Sequence, residues 1–150
     1  MQPFPQALRA ILTVLWVGGL WVIGVVVAPI LFQQLDHAQA GRVAGALFRA
    51  MAWIGIVAGG YLVLDLLWQA GLAAFRSRTF WLLMAMLTLT LVNHFAVFPV
   101  IAALKPQMHA AAEGVFGGGF QSWHTISSLI YLLQSLLGLA LVAAPGDSRR

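Results

Sequence analysis

Asp65, Asn93, His94 and His124 are the side chains of this sequence best suited to hold a proton, a metal ion or a small polar solute. Each falls inside or at the edge of a strongly apolar stretch. An ionisable group in hydrocarbon costs about 2.5 to 3.5 kcal/mol even on insertion scales, so it must face protein or water and find a partner. Helical spacing supplies the candidates. Tyr61, Asp65 and Gln69 recur every fourth residue and share a face with Trp68, while Met86, Thr90, Asn93, His94 and Val97 share another. His124, Ser127, Ser128, Tyr131, Gln134, Ser135 and Gly138 follow three- and four-residue steps and make a third polar face, one that lipid would reject. A seam of Asp65, Asn93, His94, His124, Ser127, Ser128 and Gln134 is therefore expected. It has two readings: a cavity for a ligand, or interhelical glue in which the amides and serines bond across helices and Asp65 is protonated or paired with His94.

Other chemistry is poorly represented. Met84 and Met86 have the form of a copper-type Met-x-Met, but residues two apart on a helix point to different faces. A bis-histidine haem would need His94 and His124 at one depth. His94 lies about nine residues inside its span and His124 near the start of the next, an offset of roughly 10 Å. His37 and His109 fall in connecting segments and are expected to be solvated. The chain has no cysteine, which removes disulfides, thiolate metal sites, c-type haem attachment and thiol nucleophiles. Gly117, Gly118 and Gly119 have neither the preceding strand nor the following lysine of a phosphate cradle. There is no Gly-x-Ser-x-Gly, no Walker loop, no His-Glu-x-x-His and no carboxylate pair. No enzyme activity and no cofactor are expected.

The elements that must position the seam are written in the charges. Eight basic and four acidic residues are spread over 150 positions, and hydrophobic residues make up 61%. Arg9 to Asp36, Arg49 to Arg76, Arg78 to Lys105 and Glu113 to Asp147 bracket four blocks in which Asp65 is the single charge. A run of about 20 apolar residues crosses a bilayer as a helix, so the pattern predicts four spans, near 7–32, 51–75, 80–103 and 123–144. The fold class is all-α: an integral membrane four-helix bundle forming a single domain over 1–150. A short interfacial helix, capped by Asp36, is expected between spans one and two. Pro29 should kink or end span one, and Pro99 lies near the outer end of span three. Ser122 is placed to cap span four, and Trp53, Trp81 and Trp123 fall at membrane borders. Gly55 and Gly59 form a small-xxx-small pair for close packing on span two.

Arg76, Ser77 and Arg78 make a tight turn, so spans two and three are expected to form an antiparallel hairpin. Centred on Ser77, that hairpin sets Asp65 level with Thr90, with Asn93 and His94 one turn further out. Arg9, Arg76, Arg78, Arg149 and Arg150 then lie on one side of the membrane and Arg42, Arg49 and Lys105 on the other, which puts both termini in the cytoplasm. The basic residues form no cluster that would track a phosphate backbone, so nucleic acid is not an expected partner. The lipid bilayer is. No internal repeat is found that would indicate an inverted-repeat transporter.

Several segments resemble a known family. LWVGGLW (Leu15 to Trp21) followed by Pro29 and Phe32, AGRVAGALF (Ala40 to Phe48), LVNHFAVFP (Leu91 to Pro99) and FQSWHTISSL (Phe120 to Leu129) are similar to the transmembrane-protein-205-like family, catalogued in bacteria as a domain of unknown function. In that resemblance Asn93 and Pro99 match the family's Asn and Pro of the third span, and His124, Ser127 and Ser128 match its His-x-x-Ser-Ser. Thr125 stands where the family often has Gly, Tyr131 where it has an amide, and neither Asp65 nor His94 matches a family position. The resemblance implies a four-span protein of a bacterial inner membrane with no established activity, loosely similar to copper-resistance membrane proteins. The leading expectation is a structural or interaction component, alone, as a homo-oligomer or with a membrane-protein partner. The alternative is a transporter or metal-handling protein that takes a small polar solute or metal ion in the seam.

Overall fold

The computed structural model describes residues 3–104 and 119–144. Lys105, Pro106, His109, Glu113, the glycines at 117 and 118, Asp147 and the arginines at 149 and 150 lie outside them. Within them the chain makes four helices long and apolar enough to cross a membrane. These are α1 (Gln6–Gln34), α2 (His37–Ala70), α3 (Arg78–Leu104) and α4 (Phe120–Ala143). Each helix packs on its neighbour in sequence and α4 returns to α1, which closes a four-helix bundle.

The interfacial helix does not form as a separate element. Asp36 does cap a helix, accepting from the Gln39 N–H at 2.9 Å, but that helix is α2 itself and runs 34 residues without a break. The reason is a buried stripe that crosses the expected junction. Ala40, Ala44, Met51, Ala58 and Leu62 are all buried and, with Gly55, recur at helical steps on one face, so a bend near residue 50 would unseat half of them. At about 1.5 Å per residue α2 is roughly 50 Å long, more than the about 30 Å of a bilayer's hydrocarbon.

Pro29 and Pro99 do not end their helices, and each is the second residue of an α-helical segment that opens directly after a π-helical one. Pro29 follows a π-helical stretch at Val22–Val27, and Pro99 follows one at Asn93–Val97. A proline ring clashes with the carbonyl four residues back, and a widened π turn makes room for it, so both helices continue to Gln34 and Leu104. A third π stretch, Val14–Gly18, carries Trp16 into the core.

The core is knob-and-hollow packing of large side chains over glycines. Trp16 is completely buried, and its indole lies on Gly55 and Gly59, where a Cβ would come within 2.5 and 2.7 Å of the ring. The small-xxx-small pair thus accepts a ring rather than a neighbouring backbone. Met51 covers Gly19, Tyr131 covers Gly24, and Val17 with Met86 covers Gly138 in the same way. Ser122 is not a cap: α4 begins at Phe120 behind Gly119, and Ser122 is buried within it.

Candidate functional site

The polar face of α4 is the organising element of the bundle interior, and it bonds to two helices in turn. Toward α3, Ser127 donates to the Asn93 Oδ1 at 2.9 Å and the Gln134 amide donates to the Thr90 hydroxyl at 2.7 Å. All four of these side chains are buried. Thr90 passes its own proton back to the Met86 carbonyl at 2.9 Å, so the chain Gln134–Thr90–Met86 ends on backbone. Toward α1, Tyr131 donates to the Leu20 carbonyl at 2.7 Å and Trp21 donates to the Ser135 carbonyl at 3.1 Å. Gly24 makes room for the Tyr131 ring, and Phe48 of α2 meets that ring edge-on with centroids 4.9 Å apart.

Asn93, Ser127 and Gln134 therefore lie in one buried interface between α3 and α4. Four other candidates do not join them. Ser128 is exposed and donates to the His124 carbonyl of its own helix, at 2.9 Å. His124 is exposed on the same side. His94 turns away from α4 toward α2, where its ring meets Trp53, Phe95 and Phe98 edge-on at 5.4, 4.7 and 6.3 Å. Its Nδ1 is buried there, with no hydrogen-bond partner among the described residues.

Asp65 is the largest correction. It is neither level with Thr90 nor near His94; it forms an ion pair with Arg9 of α1 and accepts from the Gln69 amide at 2.8 Å. The cause is the connection after α2. Gly71 adopts φ 52°, a conformation that favours glycine, and the next six-residue piece, Gly71–Arg76, is a 3-10 turn that leaves the axis of α2. The hairpin axis consequently falls near Ala73 rather than Ser77. Trp53 stands beside His94, and a Cβ on Gly59 would meet Leu87, so at that register Asp65 is level with Trp81. The displacement from Thr90 is about nine residues, roughly 13 Å at ~1.5 Å per residue. That carries the acid to the bundle end where Arg9 enters.

The sequence reading also missed the roles of Arg9, Trp16 and Trp21. Arg9 was detectable in principle, being the one cation within the first turns of α1 that an intramembrane acid could reach. The Trp21 bond to a backbone carbonyl has no counterpart in residue spacing. Among the described residues no three His, Cys, Asp or Glu side chains group as metal ligands.

The model of the family described as Domain of unknown function (DUF4149) matches residues 11–110, two thirds of the chain. No curated protein and no solved structure matches it.

Proposed function

This chain belongs to the DUF4149 family, and from its geometry we propose that it is a structural or interaction component of the membrane it spans rather than an enzyme. Its seat is a bacterial inner membrane, with both termini cytoplasmic. The observation that carries this reading is the closure of the seam: Asn93 with Ser127 and Thr90 with Gln134 satisfy one another directly, with every partner buried. A transport site needs polar groups that exchange their partners for a solute. Here the ionisable candidates stand elsewhere, Asp65 against Arg9, His94 among aromatic rings and His124 on the exposed side of α4. The seam fixes how α4 sits between α1 and α3, and the protein offers its lipid-facing surface to the membrane and to membrane partners.

The test is reconstitution into liposomes and measurement of zinc, copper(I) and proton flux for the parent chain, Asn93→Ala and Gln134→Ala, beside unfolding in detergent. The expected outcome is flux no greater than through empty liposomes, with both variants less stable than the parent. Flux through the parent that either substitution abolishes at unchanged stability would overturn the proposal in favour of a transporter.

A further inference from the structure

The connection between α2 and α3 carries a recess that the polar seam does not use. It is a shallow depression of about 390 Å³, open to the outside and lined by Arg76, Ser77, Arg78, Trp81 and Leu82. Both arginines are exposed, and among the described residues neither has an ion-pair partner. Among the described residues the acid at that end of the bundle is Asp65, and it is paired with Arg9. Among the described residues the two guanidinium groups are thus uncompensated, beside a largely apolar wall.

The wall is fixed before anything binds. Ser77 caps α3 by accepting from the Phe80 N–H at 3.1 Å and donates to the Ala74 carbonyl at 2.9 Å. Trp81 donates to the Phe75 carbonyl at 2.9 Å, which holds its indole over the turn. Phe75 meets Phe80 at a tilt and Phe80 meets Trp81 edge-on, with centroids 4.7 and 5.6 Å apart, and Leu72 and Trp68 on the same side of the chain's turn are 85% and 92% exposed. Aromatic rings and exposed apolar side chains at the end of membrane-spanning helices mark the level of the lipid headgroups. Guanidinium pairs bind phosphate with directed hydrogen bonds.

We propose that this recess binds the headgroup of an anionic glycerophospholipid, with Arg76 and Arg78 on the phosphate and Trp81 and Leu82 against the glycerol and first acyl carbons. The phosphate supplies the missing negative charge, and the apolar wall favours a lipid over free phosphate or an acidic peptide.

The full chain, purified in detergent and equilibrated with equal amounts of phosphatidylglycerol and phosphatidylcholine, would be examined by native mass spectrometry for retained lipid. Retention of phosphatidylglycerol is expected to exceed that of phosphatidylcholine by about fivefold for each arginine engaged. The double variant R76Q/R78Q should lose the preference. R42Q/R49Q removes the same charge from the opposite end of α2 and should keep it. Equal retention of both lipids, a preference that survives R76Q/R78Q, or one that R42Q/R49Q lowers as much would overturn the proposal. So would displacement of phosphatidylglycerol by millimolar inorganic phosphate, which would make the ligand a free anion. The altered turn residues are exposed, and equal melting temperatures in phosphatidylcholine would verify that both double variants remain folded.

Discussion

At the scale of single residues the interior polar groups divide into pairs that hold helices together and a pair that holds a charge. Thr90 and Gln134 belong to the first kind, and interhelical hydrogen bonds in membranes average about 0.6 kcal/mol with a maximum near 1.7. A double-mutant cycle on Thr90→Val and Gln134→Leu, read by unfolding in detergent, should give a coupling energy of that size. A coupling near zero would mean that the 2.7 Å bond contributes nothing beyond packing. Arg9 and Asp65 belong to the second kind. Taking away one member leaves the other as an uncompensated charge, and that loss is larger than the net value of the pair. Arg9→Gln and Asp65→Asn should therefore each destabilise the protein more than the double substitution does. If the double variant were the least stable of the three, the ion pair would not be the reason Asp65 is tolerated.

Helices and their connections decide what the residues can reach. Gly55 and Gly59 hold the Trp16 indole, and inserting even one methyl group into a filled hollow costs about 1 to 3 kcal/mol. Gly55→Ala and Gly59→Ala should lower stability by that amount. Gly18→Ala, where an added Cβ meets nothing within 4 Å, should change it little. Such glycine hollows were only half legible. The spacing of Gly55 and Gly59 announced close packing, but nothing in it specified a tryptophan from α1, because the partner depends on how two helices cross. The four spans were legible because hydrocarbon imposes their length and excludes charge. The buried face of α3 was legible in part, since Thr90 and Asn93 must avoid lipid and helical spacing carries Met86 and Val97 inward with them, whereas His94, expected on the same face, turns to Trp53 of α2. The level of Asp65 was not. It depends on Gly71 at φ 52° and on a 3-10 turn, which take about six residues out of the register that counting from Ser77 assumes. Gly71→Ala forces that φ on a residue with a Cβ and should cost about 1 to 3 kcal/mol in the same assay. An unchanged stability would show that the turn has an equally good alternative.

Across the whole molecule the two ends differ, and the difference predicts orientation. Arg9, Arg76 and Arg78 stand at the turn end, while Arg42 and Arg49 stand on the part of α2 toward the other end. With Arg149 and Arg150 on the turn side and Lys105 on the other, the balance is five basic residues against three, and the proposed orientation has the turn on the cytoplasmic side. The chain has no cysteine, so single cysteines can report the placement without background. Ala38 and Ala73 are both exposed and lie at opposite ends of the hairpin. In intact cells stripped of their outer envelope, a membrane-impermeant maleimide should label Ala38→Cys at once and Ala73→Cys only after lysis. The reverse order would invert the topology, and labelling of both from one side would mean that α2 does not cross. Leu64→Cys adds a separate check on the meaning of surface in this protein. Leu64 is 68% exposed on the bundle, yet it lies within the apolar length of α2. Maleimide reacts with a thiolate, which forms in water and not in hydrocarbon. Leu64→Cys should resist the reagent from either side, before and after lysis, while the protein stays folded. Rapid labelling there would place water along α2, and the face of the bundle assigned to lipid would have to line an aqueous path or a contact with another protein.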